Sequence, residues 1–200
     1  MIEVLQNRKS ETILGANKTY QMKRILFPLL CALIFLASCS KGKDEPSYFI
    51  TCKIDGVEKS FNTECSAIHS IIDVSELINI RGADTKGSHP SSFGIILSNG
   101  PAAKPIGKSG VFTSTTKDFE INTQYLDLVS GASYGAGTMV SNSANEWGVE
   151  IENQFVLTIT SNDGNIIEGT FSGDYYYYSG PLGDFIRITD GKFRLKVYPE

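Results

Sequence analysis

Histidine is almost missing from this chain: only His69 and His89 occur among 200 residues, with no His-x-His and no metalloprotease spacing. Zinc usually takes several His or Cys ligands grouped along the chain, and neither histidine has such company, so both read as ordinary surface residues. Nucleophile signals are equally scarce. Serines are abundant, but no Gly-x-Ser-x-Gly elbow is present. The glycine-rich stretch Gly131 to Gly137 lacks the lysine and the helix that a phosphate-cradling loop uses. No apolar run approaches the ~20 residues needed to cross a membrane. The domain also shows no convincing helical stripe of apolar residues. These absences leave an enzyme without converging titratable groups and indicate no cofactor.

A short apolar run is present near the start, and it sets where the rest of the chain resides. Met22-Lys23-Arg24 precedes thirteen largely apolar residues, Ile25 to Ala37, which stop at Ser38-Cys39. A positive pair, a short apolar segment and small residues before a cysteine form the layout of a cleaved secretion signal. Residues 1–21 are polar and precede a second methionine that opens a complete signal by itself, so Met22 is the expected start. Leu36-Ala37-Ser38-Cys39 resembles the lipobox of bacterial lipoproteins. That resemblance implies that Cys39 is lipidated, becomes the first mature residue and serves as the partner of a membrane. Residues 1–38 are then signal, 39–47 a lipidated cysteine with its tether, and 48–200 one domain. Ser40 to Ser47 has no bulky apolar residue with which to join a core. Its Lys41, Lys43, Asp44 and Glu45 resemble the export signal of Bacteroidota lipoproteins. That implies display on the outer cell surface, with a periplasm-facing position as the alternative.

The 153 residues from Tyr48 to Glu200 suit one domain, enough to bury about 70% of the unfolded surface. The mature part holds 13 basic and 20 acidic side chains, a net of minus seven, which argues against nucleic acid. Lys117 is the only basic residue between Gly110 and Ile186, against ten acids, while Arg187, Lys192, Arg194 and Lys196 make the end of the chain basic. Solubility accounts for that asymmetry.

Runs rich in Ile, Val, Phe, Thr and Tyr alternate with Gly, Asn, Asp and Ser clusters, and about ten strands are expected. The architecture is an all-β antiparallel sandwich, with a β-barrel as the alternative. Asp55-Gly56 predicts a two-residue turn between Tyr48–Ile54 and Val57–Phe61, because both central positions of such a turn need positive φ. A second hairpin is expected across Ser161 to Asn165, and a third across Asp190-Gly191, joining Phe185–Thr189 to Lys192–Val197. Glu168-Gly169-Thr170-Phe171-Ser172-Gly173 and Ile188-Thr189-Asp190-Gly191-Lys192-Phe193 resemble the ending of a family of Bacteroidota lipoproteins of unknown function. Ile54-Asp55-Gly56 and Pro105-Ile106 to Gly110-Val111-Phe112 are similar to earlier parts of that pattern. The resemblance implies an exported all-β domain and carries no catalytic residue.

Glycoside hydrolysis needs two carboxylates flanking a bond, and acidic groups do occur in pairs here. Glu150 and Glu152 share a face if that stretch is extended, and Asp163, Asn165 and Glu168 belong to a hairpin without the ligand pattern of a calcium loop. Solvated faces and turn formation account for them. Once Cys31 leaves with the signal and Cys39 carries lipid, Cys52 and Cys65 remain. A bridge between them, worth about 3 kcal/mol, and two buried thiols both stay open. With Asp55-Gly56 as the turn, Cys52 faces Lys59, so Cys65 meets Cys52 only if the chain doubles back after Phe61.

Aromatics supply the candidate binding residues. Tyr175, Tyr176, Tyr177 and Tyr178 form a run whose alternate members point to opposite faces, so one pair should be less buried than the other. Trp147, the only tryptophan, follows a polar loop from Ser130 to Glu146 that contains Tyr134. Flat rings with a polar handle make platforms for glycan or protein ligands. A non-catalytic module binding glycan or envelope protein is therefore expected, with a structural part of an envelope or fimbrial assembly as the alternative.

Overall fold

The structure, a computed structural model, describes residues 48–100, 104–178 and 183–200, apart from the Trp147 side chain. The signal, Cys39 and the tether lie outside the described residues. The strands are β1 (Phe49–Ile54), β2 (Val57–Ser60), β3 (Ser66–Ile72), β4 (Ser75–Asp84), β5 (Ser91–Asn99), β6 (Gly110–Thr113), β7 (Phe119–Asp127), β8 (Ser133–Gly137), β9 (Val156–Asn162), β10 (Ile166–Tyr177) and β11 (Phe185–Pro199). Among the described residues one helix, α1 (Thr138–Trp147), lies between β8 and β9. The fold is all-β, as the strand-and-turn pattern predicts.

All eleven strands belong to one sheet in the order β2-β1-β11-β3-β4-β5-β7-β8-β10-β9-β6. An additional β10–β11 pairing closes a hydrogen-bonded circuit through β11, β3, β4, β5, β7, β8 and β10. Every pairing is antiparallel except β11 with β3. The β3–β4 turn marks the upper end of this sheet and the β1–β2 turn the lower end.

Period-two alternation explains which side faces in. Phe93, Ile95 and Leu97 on β5, Ile121, Thr123 and Tyr125 on β7, and Ile78 and Ile80 on β4 are buried, while the alternate residues face outward. Phe61, Phe93, Phe171 and Phe193 stack in sequence through the core, with ring centroids 5.4, 4.7 and 6.5 Å apart. Such pairs contribute about 0.5–1.5 kcal/mol each beyond area burial.

Two of the three expected turns form. Asp55 (φ 49°) and Gly56 (φ 81°) both take positive φ and set Ile54 opposite Val57 and Cys52 opposite Lys59. Asp163 closes the β9–β10 turn by accepting the N–H groups of Asn165 (2.8 Å) and Ile166 (2.7 Å) through its carboxylate. Asp190-Gly191 is not a turn. Phe185 to Pro199 is one continuous strand, and Asp190 (φ 53°) sits in a bulge where the registers with β1 and β10 both shift. Partners on both flanks hold the chain extended there, so the dipeptide bends the strand without reversing it.

The expected polar loop from Ser130 to Glu146 is also replaced, by β8 and most of α1. Val140 and Ala144, one turn apart, are the side chains that α1 buries among those described. Gly148 ends the helix in the left-handed conformation (φ 67°).

Candidate functional site

Burial in the tyrosine run falls along the strand rather than dividing its two faces. Tyr175 is wholly buried, its ring 6.2 Å from Phe93 and 5.7 Å from Phe155. Its hydroxyl lies beside Thr123 without a hydrogen-bond partner, and burial pushes its pKa well above the usual tyrosine range. Tyr176 is buried against Phe185 at 5.6 Å. Tyr177 is half-buried and meets Tyr134 at 5.5 Å, and Tyr134 meets Tyr125 at 6.2 Å, a ladder across β10, β8 and β7. Only Tyr178 is exposed, at 44%. The expected contrast between alternating pairs fails because β10 runs from the core to the lower rim within these four residues. Trp147 is the last residue of α1, and its side chain lies outside the described residues.

The remaining sequence candidates also take definite places. Cys52 and Cys65 are both free thiols. Burial pushes the Cys52 thiol up to about 12 and raises that of Cys65. His69 is not an ordinary surface histidine. Its Nε2 lies 2.7 Å from Glu76 Oε1, while the other Glu76 oxygen accepts the Ile106 N–H. These contacts tie the β5–β6 connection to the β3–β4 hairpin; His89 is exposed in the β4–β5 loop. Glu150 and Glu152 precede β9 and belong to no strand, so they share no sheet face. Glu168 pairs with Arg194 across β10 and β11.

Asp174 has a fully buried carboxylate, which accepts bonds from Arg187 Nε (2.8 Å), Arg187 Nη2 (3.1 Å) and Asn153 Nδ2 (3.0 Å). Burial alone would raise its pKa; Arg187 and Asn153 outweigh burial and hold it below the usual carboxylate range.

The outer face of the sheet carries a feature that the sequence did not announce. One cross-strand row runs Ser66, Arg81, Gly94, Gln124, Gly135, Tyr176 over β3, β4, β5, β7, β8 and β10. Two glycines in this row leave gaps. The Gly135 gap is filled by Tyr178, whose ring and hydroxyl occupy the space a side chain would take. The Gly94 gap stays open: the nearest atom to a Cβ built there is the Ile80 carbonyl oxygen at 3.8 Å. Gly94 thus floors a groove walled by Arg81, Gln124, Ser66 and Ser92, with Tyr198, 47% exposed, at its end. Lys196 lies 4.9 Å over the Tyr198 ring. Arg81 donates to Ser66 Oγ at 3.4 Å and makes no ion pair among the described residues.

Chemically the groove offers a guanidinium, an amide, two hydroxyls and a ring face. Glu64 and Cys65 reach its rim. The raised Cys65 thiol stays protonated at neutral pH and is a weak nucleophile. A glycine inside an otherwise regular strand was the available signal, since it marks a place where something approaches the backbone. The chain matches no family profile, no curated protein and no solved structure.

Proposed function

We propose that the chain is a lipid-anchored envelope lipoprotein whose domain binds glycan through the Gly94 groove and catalyses nothing. The groove carries this proposal. A sugar ring stacks on an aromatic face and satisfies its hydroxyls with planar, multidentate donors, and here Tyr198, Arg81 and Gln124 surround a floor without a side chain. The lipobox-like Leu36-Ala37-Ser38-Cys39 and the charged tether support membrane anchorage, with display on the outer cell surface. Assembly into a fimbrial structure would need a pairing edge. The open edges of the sheet are the four-residue β2 and β6, short enough to discourage strand addition.

Gly94 allows a test that separates binding from folding. A Cβ at this position meets only ordinary contact, so Gly94→Thr should fold and gain about 0.5–1 kcal/mol from the loss of glycine flexibility. The same side chain fills the groove floor. On a glycan array wild type should capture a defined set of glycans, Gly94→Thr should lose them, and Tyr198→Ala should weaken them by about 1–3 kcal/mol. Wild type capturing nothing, or a folded Gly94→Thr binding like wild type, would refute the proposal.

A further inference from the structure

The β3–β4 turn is built from residues that turns normally avoid. Ile71, Ile72 and Val74 are 71, 65 and 64% exposed, and only Asp73, in the left-handed conformation at φ 55°, is polar among these four. The hairpin behind them is held firmly. His69 pairs with Glu76, Ser70 Oγ donates to the Glu200 side-chain carboxylate, and the Glu200 N–H donates to the His69 carbonyl. Three branched aliphatic side chains therefore stand in water on a braced support.

We propose that this tip is a wedge inserted into the bilayer that carries the Cys39 lipid, so that the domain is held at two points. The inference rests on the lipid-anchor part of the proposed function. Chain length allows both contacts. Phe49 lies opposite Arg194, Val197 lies opposite Ala67, and Ile72 is five residues beyond Ala67, which places the tip roughly 26 Å above the start of β1. The ten residues from Cys39 to Phe49 reach about 33 Å when extended. Size also favours lipid. Three side chains at a turn offer far less than the ~800 Å² per partner that a stable protein interface buries. A bilayer requires no such area, because each aliphatic group partitions by itself.

The test uses the lipidated protein purified from membranes and reconstituted in phosphatidylethanolamine–phosphatidylglycerol vesicles. An environment-sensitive fluorophore is attached at Ile72→Cys in a Cys65→Ser background, where Cys52 is buried and unreactive. Emission should shift to the blue relative to the same protein in lipid-free solution, and brominated lipids should quench it. Adding Ile71→Ser and Val74→Ser should reverse both effects. Water-like emission from a protein whose mass shows acylated Cys39 overturns the wedge and leaves the anchor standing. A mass without acyl chains overturns both. A blue shift already present in lipid-free solution, with sedimentation showing dimers, assigns the tip to a second copy of the chain and overturns the wedge.

Discussion

Asp174 couples the stability of the domain to pH. Its carboxyl is held below the usual range in the folded state, so its contribution is complete above the unfolded value of about 4 and disappears as the pH falls through the lower folded value. Asp174→Asn should cost about 1.5–3 kcal/mol at pH 7, the range for hydrogen bonds to a charged group. Urea unfolding at pH 7, 5 and 3 should show the gap to wild type shrinking below about pH 4; a gap that stays constant would mean the carboxylate charge is irrelevant. At this scale the sequence was partly legible. Aromatic content was plain, but a run of four tyrosines does not disclose that Tyr175 lies in the core and Tyr178 at the rim, because depth along a strand has no local signature. The notch at Gly94 was hidden for a related reason: a missing side chain matters only when its cross-strand neighbours, Arg81 and Gln124, are known.

Two Asp-Gly pairs show what an element adds to a residue. Asp55-Gly56 reverses the chain with β11 on one side only, where Asp55 and Arg187 exchange hydrogen bonds, and a Cβ on Gly56 would meet nothing within 4 Å. Asp190-Gly191 lies between β1 and β10, and a Cβ on Gly191 would fall 2.3 Å from the Phe171 carbonyl oxygen. Gly56→Ala should therefore cost about 1 kcal/mol, from φ strain alone. Gly191→Val should cost about 3 kcal/mol or prevent folding, since the strand and its partner must separate. Thermal unfolding of both variants decides this; equal losses would contradict the bulge. Local pattern reading found strands and the turns between them, and it failed where long-range pairing overrode a turn signal. The helix α1 was missed because it has no side-chain cap, no acid in its first turn and, among its described side chains, a buried stripe of only Val140 and Ala144.

For the whole molecule, fold class was legible from alternation, whereas the closure of the sheet was not, since the β10–β11 and β11–β3 pairings join segments that no local rule connects. β11 is the strand on which that closure depends. It contacts β1, β10 and β3, and it follows all three in the chain. A chain ending at Asp184 should lack the far-ultraviolet strand signature and be digested rapidly by protease; a protected fragment would show that the other strands suffice. The order of events during synthesis follows from this. Until Val197 to Pro199 are available to β3, the circuit cannot close, so the nascent chain has no complete native state to fall into. The position of the closing strand thereby sets a delay: the domain commits to its fold only when β11 has met both β10 and β3, however early the other strands are made.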